Sequence, residues 1–177
     1  YLPMVEDYML MVLDDHHLFV NCRATVCSRG IWGLQIMPDA WLTVAEKSWK
    51  ATGLTLAMVA DLVDRQSSSL AATTFCDKVE KELANLGFMN EAVFCRNMRQ
   101  WHSSSDEPGI SAAARHQMRL PLRNQLLSLV NFAEFPPPSS HIKGVPVVMF
   151  EGILTGIDRR AQLYALAKGS TYNSRSL

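Results

Sequence analysis

The chain has 177 residues, of which 48% are hydrophobic and 19% charged. This is about one domain's length, with enough apolar surface to offset chain entropy, which excludes a disordered tail. Nine Gly and eight Pro exclude a collagen-like or low-complexity chain, and seventeen basic against seventeen acidic residues leave no polyelectrolyte character overall.

Apolar side chains recur with the helical period almost everywhere, and almost nowhere with period two. Met4, Val5, Tyr8, Met9 and Val12 make a first apolar face. Asp14 or Asp15 then caps a helix through Leu18, Phe19, Cys22, Val26 and Cys27. Gly30 and Gly33 mark a loop. Pro38-Asp39 starts a helix with Trp41, Val44, Ala45 and Trp49 on one face, and Gly53 suits its left-handed end. Thr55 opens a short helix with Leu56, Val59, Leu62 and Val63, and Ser67-Ser68-Ser69 reads as a loop.

Phe75, Cys76, Val79, Leu83 and Leu86 form the clearest stripe, with Asp77–Lys81 and Lys78–Glu82 spaced as ion pairs on the wet side and Gly87 as the stop. Asn90 suits the cap of a helix bearing Val93, Phe94, Met98 and Trp101. Ser103 to Gly109 reads as a loop. Ser111 opens a further helix, which Pro121 must kink or split before Leu122, Leu126, Leu129 and Val130 continue it. Pro136 to Ser140 reads as a stiff linker. Val147 to Ala167 reads as a helix, with Pro146 in its first turn and Gly169 at its end. A strand over 145–150 is the competing reading, because Val-Pro-Val-Val-Met-Phe has high β-propensity.

The expected fold is therefore all-α, an irregular array of six to eight short helices with at most one minor strand element near 145–150. The expected organisation is a helical domain over 1–135, a Pro/Ser-rich linker over 136–144, and a C-terminal helical segment over 145–177 that packs back on the domain. No apolar run reaches the roughly 18 residues of a membrane span. Tyr1 in place of an initiator Met, with no signal-peptide pattern, leads us to expect a fragment of a larger intracellular protein, nuclear or cytoplasmic. The cysteines at 22, 27, 76 and 95 lie among apolar residues and read as reduced thiols.

Charge is uneven along the chain. Residues 1–91 hold 7 Lys/Arg and 12 Asp/Glu, and residues 92–177 hold 10 and 5. Two halves attracting each other would explain this, and so would a basic face for an acidic partner. Arg115, Arg119 and Arg123 share one face of a continuous helix at i, i+4 and i+8, with no acid between Gly109 and Val130 to neutralise them. Guanidinium forks in a row suit phosphate oxygens, and Arg96, Arg99 and His102 could widen the patch. The bland alternative is a face whose arginines pair acids from the first half.

Asp14-Asp15-His16-His17 carries metal-ligand chemistry, and Cys22 and Cys27 follow. Neighbours on a helix point about 100° apart, so the four adjacent residues cannot face one ion. His16, His17, Cys22 and Cys27 remain weak ligand candidates, and no cofactor is implied. Cys95 and His102 share a helix face but stand about 10 Å apart, too far for a nucleophile–base pair. Gly152 and Gly156 are spaced to let another helix approach. No phosphate loop, nucleophile elbow or dinucleotide fingerprint occurs.

The stretch His141 to Arg160, with Tyr172-Asn-Ser-Arg-Ser beyond it, is similar to a segment of large invertebrate open reading frames of the mobile-element, transposase kind. The similarity covers the last third of the chain and includes no catalytic motif, so no functional residue carries over. It implies an internal piece of a long, nuclear, DNA-associated protein. The expected function is a non-catalytic helical interaction region contacting a protein partner, other parts of its parent chain, or DNA or RNA phosphates. The alternative is a metal-dependent enzyme fragment using the Asp14–His17 and Cys22/Cys27 region.

Overall fold

The structure, a computed structural model, describes residues 14–128 and 147–166. The expected apolar face of residues 4–12, the continuation at Leu129 and Val130, the linker at 136–144, and the helix limits Pro146 and Gly169 lie outside the described residues. Within them the fold is all-α. The helices are α1 (Asp15–Ser28), α2 (Pro38–Thr52), α3 (Leu56–Val59), α4 (Ser68–Thr74), α5 (Asp77–Asn85), α6 (Met89–Asp106), α7 (Ala112–Leu127) and α8 (Val147–Leu166), with a 3₁₀ turn at Trp32–Leu34. Val147 to Phe150 are helical, so the competing strand is not formed there.

Helix α1 is buried on most of its circumference, through Leu18, Phe19, Val20, Cys22, Arg23, Thr25 and Val26. A helix so enclosed must be central, and α2, α3, α4, α6 and α8 all pack on it. Its end turns sharply at Gly30, where φ is +71° and a Cβ would lie 2.3 Å from the Ile36 carbonyl. Only glycine fits that turn. Ile31 and Ile36 then exchange both backbone hydrogen bonds, at 2.8 and 3.1 Å.

Helix α2 starts with Pro38 in its first turn and ends on the left-handed Gly53, as the sequence suggests. Trp41, Val44 and Ala45 are buried, but Trp49 is 50% exposed. Ser48 leaves helical geometry (φ −136°, ψ 25°), and this break rotates the following residue off the stripe. The Thr52 hydroxyl braces the break, donating to the Ser48 carbonyl and accepting from the Leu54 amide.

Helix α3 lasts one turn and does not reach Leu62 and Val63. Leu62 and Asp64 adopt positive φ, 48° and 50°. Arg23 holds this shape. Its buried guanidinium donates to the carbonyls of Met58 (2.9 Å), Val63 (2.8 Å) and Asp64 (3.0 Å), replacing the helical partners those oxygens would otherwise need.

Ser67 is a cap rather than part of a loop, since its hydroxyl accepts from the Leu70 amide as α4 opens. Phe75 and Cys76 form the α4–α5 junction, so the expected stripe begins two residues before its helix. Phe75 is fully buried, with Phe19, Trp41 and Phe94 rings 5.7, 6.3 and 6.2 Å away. The Trp41 indole donates to the Thr74 carbonyl at 3.1 Å.

Helix α6 opens one residue before Asn90, with Phe88 at the cap position, and it continues through Ser103 to Asp106, where a loop is expected. Helix α7 opens on Ser111, whose hydroxyl accepts from the Ala114 amide, and it passes Pro121 without dividing. Helix α8 buries Met149, Phe150, Ile153, Leu154 and Ile157. It runs antiparallel to α1, because Met149 meets Cys22 while Arg160 meets Asp15.

Candidate functional site

Arg115 and Arg119 do share one face of a continuous α7, but that face points inward. Both are 1% exposed. Arg115 Nη1 donates to the Ser104 carbonyl at 2.7 Å. Arg119 Nε donates to Ser104 Oγ at 2.9 Å, and its Nη2 reaches the Ser104 carbonyl and Ser105 Oγ, both at 3.3 Å. These oxygens belong to the last turn of α6, where helical carbonyls lack intrahelical partners and the helix end is negative. Two cations from α7 thus satisfy and neutralise the end of α6.

The same polar seam continues to α1 and α8. Ser105 Oγ donates to Asp15 Oδ2 at 2.8 Å. Asp15 takes the Arg160 guanidinium through Nη2 at 2.9 Å and Nη1 at 3.4 Å. Arg160 is 5% exposed. Asp15 lies in the first turn of α1, where the positive end of the helix favours a carboxylate. Gly156 makes room for this pair, since a Cβ there would stand 3.3 Å from Arg160 Nη1. The Gly-xxx-Gly spacing therefore admits an ion pair at Gly156.

The other arginines of the expected patch, Arg96, Arg99 and Arg123, are partly exposed and engaged. Arg123 Nε meets Asp158 Oδ1 at 2.8 Å. Arg99 donates to the Phe75 carbonyl at 3.1 Å and pairs with Glu80, which also meets Arg96 at 3.8 Å. Glu80 is thus bound across to α6, and the expected Asp77–Lys81 and Lys78–Glu82 contacts are not formed within 4 Å. His102 stacks on Phe19 with ring centroids 3.8 Å apart, and burial holds its pKa below the usual imidazole value, against the opposing pull of Asp106 and Asp15.

The metal-ligand candidates do not converge. His16 and His17 lie on the exposed side of α1, where His17 Nδ1 is 3.5 Å from Asp14 Oδ2. Cys22 points into the core, its Sγ 3.4 Å from Met149 Sδ. Burial pushes the Cys22 thiol up and raises Cys27 to about 12, with Arg23 opposing in the latter case, so neither is readily a thiolate. Among the described residues no three His, Cys, Asp or Glu side chains are grouped to hold an ion. Cys95 faces the carbonyls of Thr74 and Cys76, while His102 turns to Phe19, so these two form no nucleophile–base pair.

One feature escapes the sequence pattern altogether. The break at Ser48 and the brevity of α3 leave an open cleft of about 370 Å³ lined by Ala45, Glu46, Trp49, Thr55, Leu56 and Ala57. Trp49 is 50% and Leu56 46% exposed, and Lys50 Nζ lies 5.6 Å from the Trp49 ring centroid. The cleft's lining brings together one indole ring, aliphatic side chains and the Glu46 carboxylate. It has no converging acid, base or nucleophile. No described helix is long and apolar enough to cross a membrane.

Two outcomes are expected. Asp15→Asn leaves Arg160 buried beside a neutral amide and should cost about 3–5 kcal/mol in urea unfolding. The apolar double replacement Asp15→Leu with Arg160→Met should recover part of that loss. For His102, the unfolded chain protonates first, near pH 6.5. The stability it confers is therefore complete above that pH and is lost as pH falls below it. Urea midpoints between pH 7.5 and 5.5 should fall less for His102→Phe, which keeps the stack, than for the parent chain. Comparisons with protein-family models, with curated proteins and with solved structures return no match to this chain.

Proposed function

We propose that this chain is a non-catalytic helical interaction region and that its contact is with a protein, not with nucleic-acid phosphates. One observation carries the reading: the charged row that would hold phosphates is directed inward, while large apolar side chains face outward. Arg115 and Arg119 lie in the seam beside α6, whereas Trp49 and Leu56 line an open cleft and Trp32 is 60% exposed. Trp is the residue most enriched among interface anchors. The resemblance of the last third to mobile-element reading frames favours a long parent protein and a nuclear setting for this contact. The metal-dependent alternative draws no support from the scattered positions of His16, His17, Cys22 and Cys27.

A photo-crosslinking residue at Trp49, compared with one at the exposed Gln117 on α7, tests this in cells. Protein adducts should form from position 49 and not from 117. Equal adducts from both positions contradict the reading, as do nucleic-acid adducts. In parallel, duplex DNA and single-stranded RNA should show no binding whose affinity falls steeply with salt. Such binding, abolished by charge reversal at Arg96 and Arg99, would establish the phosphate contact instead.

A further inference from the structure

We propose that Cys76 and Cys95 are a disulfide-forming pair, oxidised by a small-molecule disulfide of the glutathione type, whose closure staples the α4–α5 junction to α6. Cys76 occupies the cap position of α5, and Cys95 stands in the second turn of α6. The Cys95 sulfur lies 3.6 Å from the Cys76 carbonyl oxygen and 3.9 Å from that of Thr74. A carbonyl oxygen is about 2.4 Å from its own Cα, which places that sulfur within about 6 Å of the Cys76 Cα. A cysteine sulfur is about 2.8 Å from its own Cα, so the two Cα atoms stand within about 9 Å, a bound that includes the roughly 4.4–6.8 Å of cystine.

The junction is also pinned in place. Trp41 holds the Thr74 carbonyl, Arg99 holds the Phe75 carbonyl, and Glu80 of α5 pairs with Arg99 of α6. These bonds tie the α4–α5 junction to α2 and α6 on either side of Cys76. Cys22 and Cys27 lack this arrangement. They are five residues apart on one helix and point about 140° apart.

Access sets the order of events. Cys76 is half-buried and reacts first, while Cys95 is fully buried. Burial holds the Cys95 thiol well above its ordinary pKa, with Arg99 opposing and Glu80 and Cys76 adding to the effect. The Cys76 thiol loses its proton, and its sulfur attacks one sulfur of glutathione disulfide. The S–S bond breaks, a mixed disulfide forms at Cys76, and one glutathione thiolate leaves. Cys95 then attacks the Cys76 sulfur as its proton passes to the departing second glutathione sulfur, a step that its raised pKa makes the slower of the two. The two cysteines lose two electrons and two protons, and one glutathione disulfide becomes two glutathiones.

The test is incubation of the native chain with excess glutathione disulfide, followed by intact-mass measurement, peptide mapping and thermal unfolding. The expected product has lost the mass of two hydrogens, carries one Cys76–Cys95 cross-link, retains Cys22 and Cys27 as thiols, and melts several degrees higher until dithiothreitol is added. Cys76→Ser should fold, because Ser is a favourable cap residue. It should give neither cross-link nor melting shift and should keep Cys95 as a thiol. A mixed disulfide at Cys76 beside an unchanged Cys95 overturns the proposal. So does a cross-link involving Cys22 or Cys27, or a cross-linked form that melts no higher than the reduced chain.

Discussion

Three buried guanidinium groups meet where α1, α6, α7 and α8 come together, and their arrangement constrains much of the molecule. A charge removed from water costs several kcal/mol unless its hydrogen-bonding capacity is filled. Here Arg115 and Arg119 face the carbonyl and hydroxyl oxygens of Ser104 and the hydroxyl of Ser105, while Arg160 faces the Asp15 carboxylate. The partners lie at a negative helix end or are themselves anionic, so each contact is charge-assisted. The cost is not wholly removed, since Arg160 Nε finds no acceptor among the described residues. Directional bonds of this kind fix angles and register, which an apolar seam of the same size would leave freer.

Arg23 repeats the logic at the other end of α1. Its fork collects three carbonyls from a segment with two left-handed non-glycine residues, Leu62 and Asp64. Such residues cost energy in isolation and persist when their surroundings hold them. The short α3 that precedes the clamped segment opens at Leu56, which lines the same cleft as Trp49. Arg23 thus holds the chain just beyond one wall of the cleft, through the Met58 carbonyl, without lining it.

Much of the architecture is legible in the amino-acid sequence, because helical burial leaves a 3.6-residue stripe wherever one face is apolar. The starts at Pro38 and Ser111, the left-handed ends at Gly53 and Gly87, the inward residues of α5 and the helical state of α8 follow from local patterns. Three things are not legible. Serines serve equally as loop residues, caps and helix-end residues, so Ser67 and the Ser103–Ser105 run carry a loop signal although one caps α4 and the others lie in α6. Arginine spacing gives a shared face but not its direction. With no acid in its own stretch, the Arg115/Arg119 row reads as an outward face, because a spacing pattern does not report acceptors such as the Ser104 carbonyl and hydroxyl on the preceding helix. Finally, the break at Ser48, braced by the Thr52 hydroxyl, is reported by no apolar period.

The direct test of this account is arginine footprinting of the native chain with a dicarbonyl reagent, read by mass spectrometry at each site. The account predicts rapid modification at the exposed Arg29, Arg65 and Arg159, and protection at Arg23, Arg115, Arg119 and Arg160 until the protein unfolds. Modification of Arg115 and Arg119 as fast as Arg65 in the folded protein would contradict it, and would turn the α7 face back toward solvent.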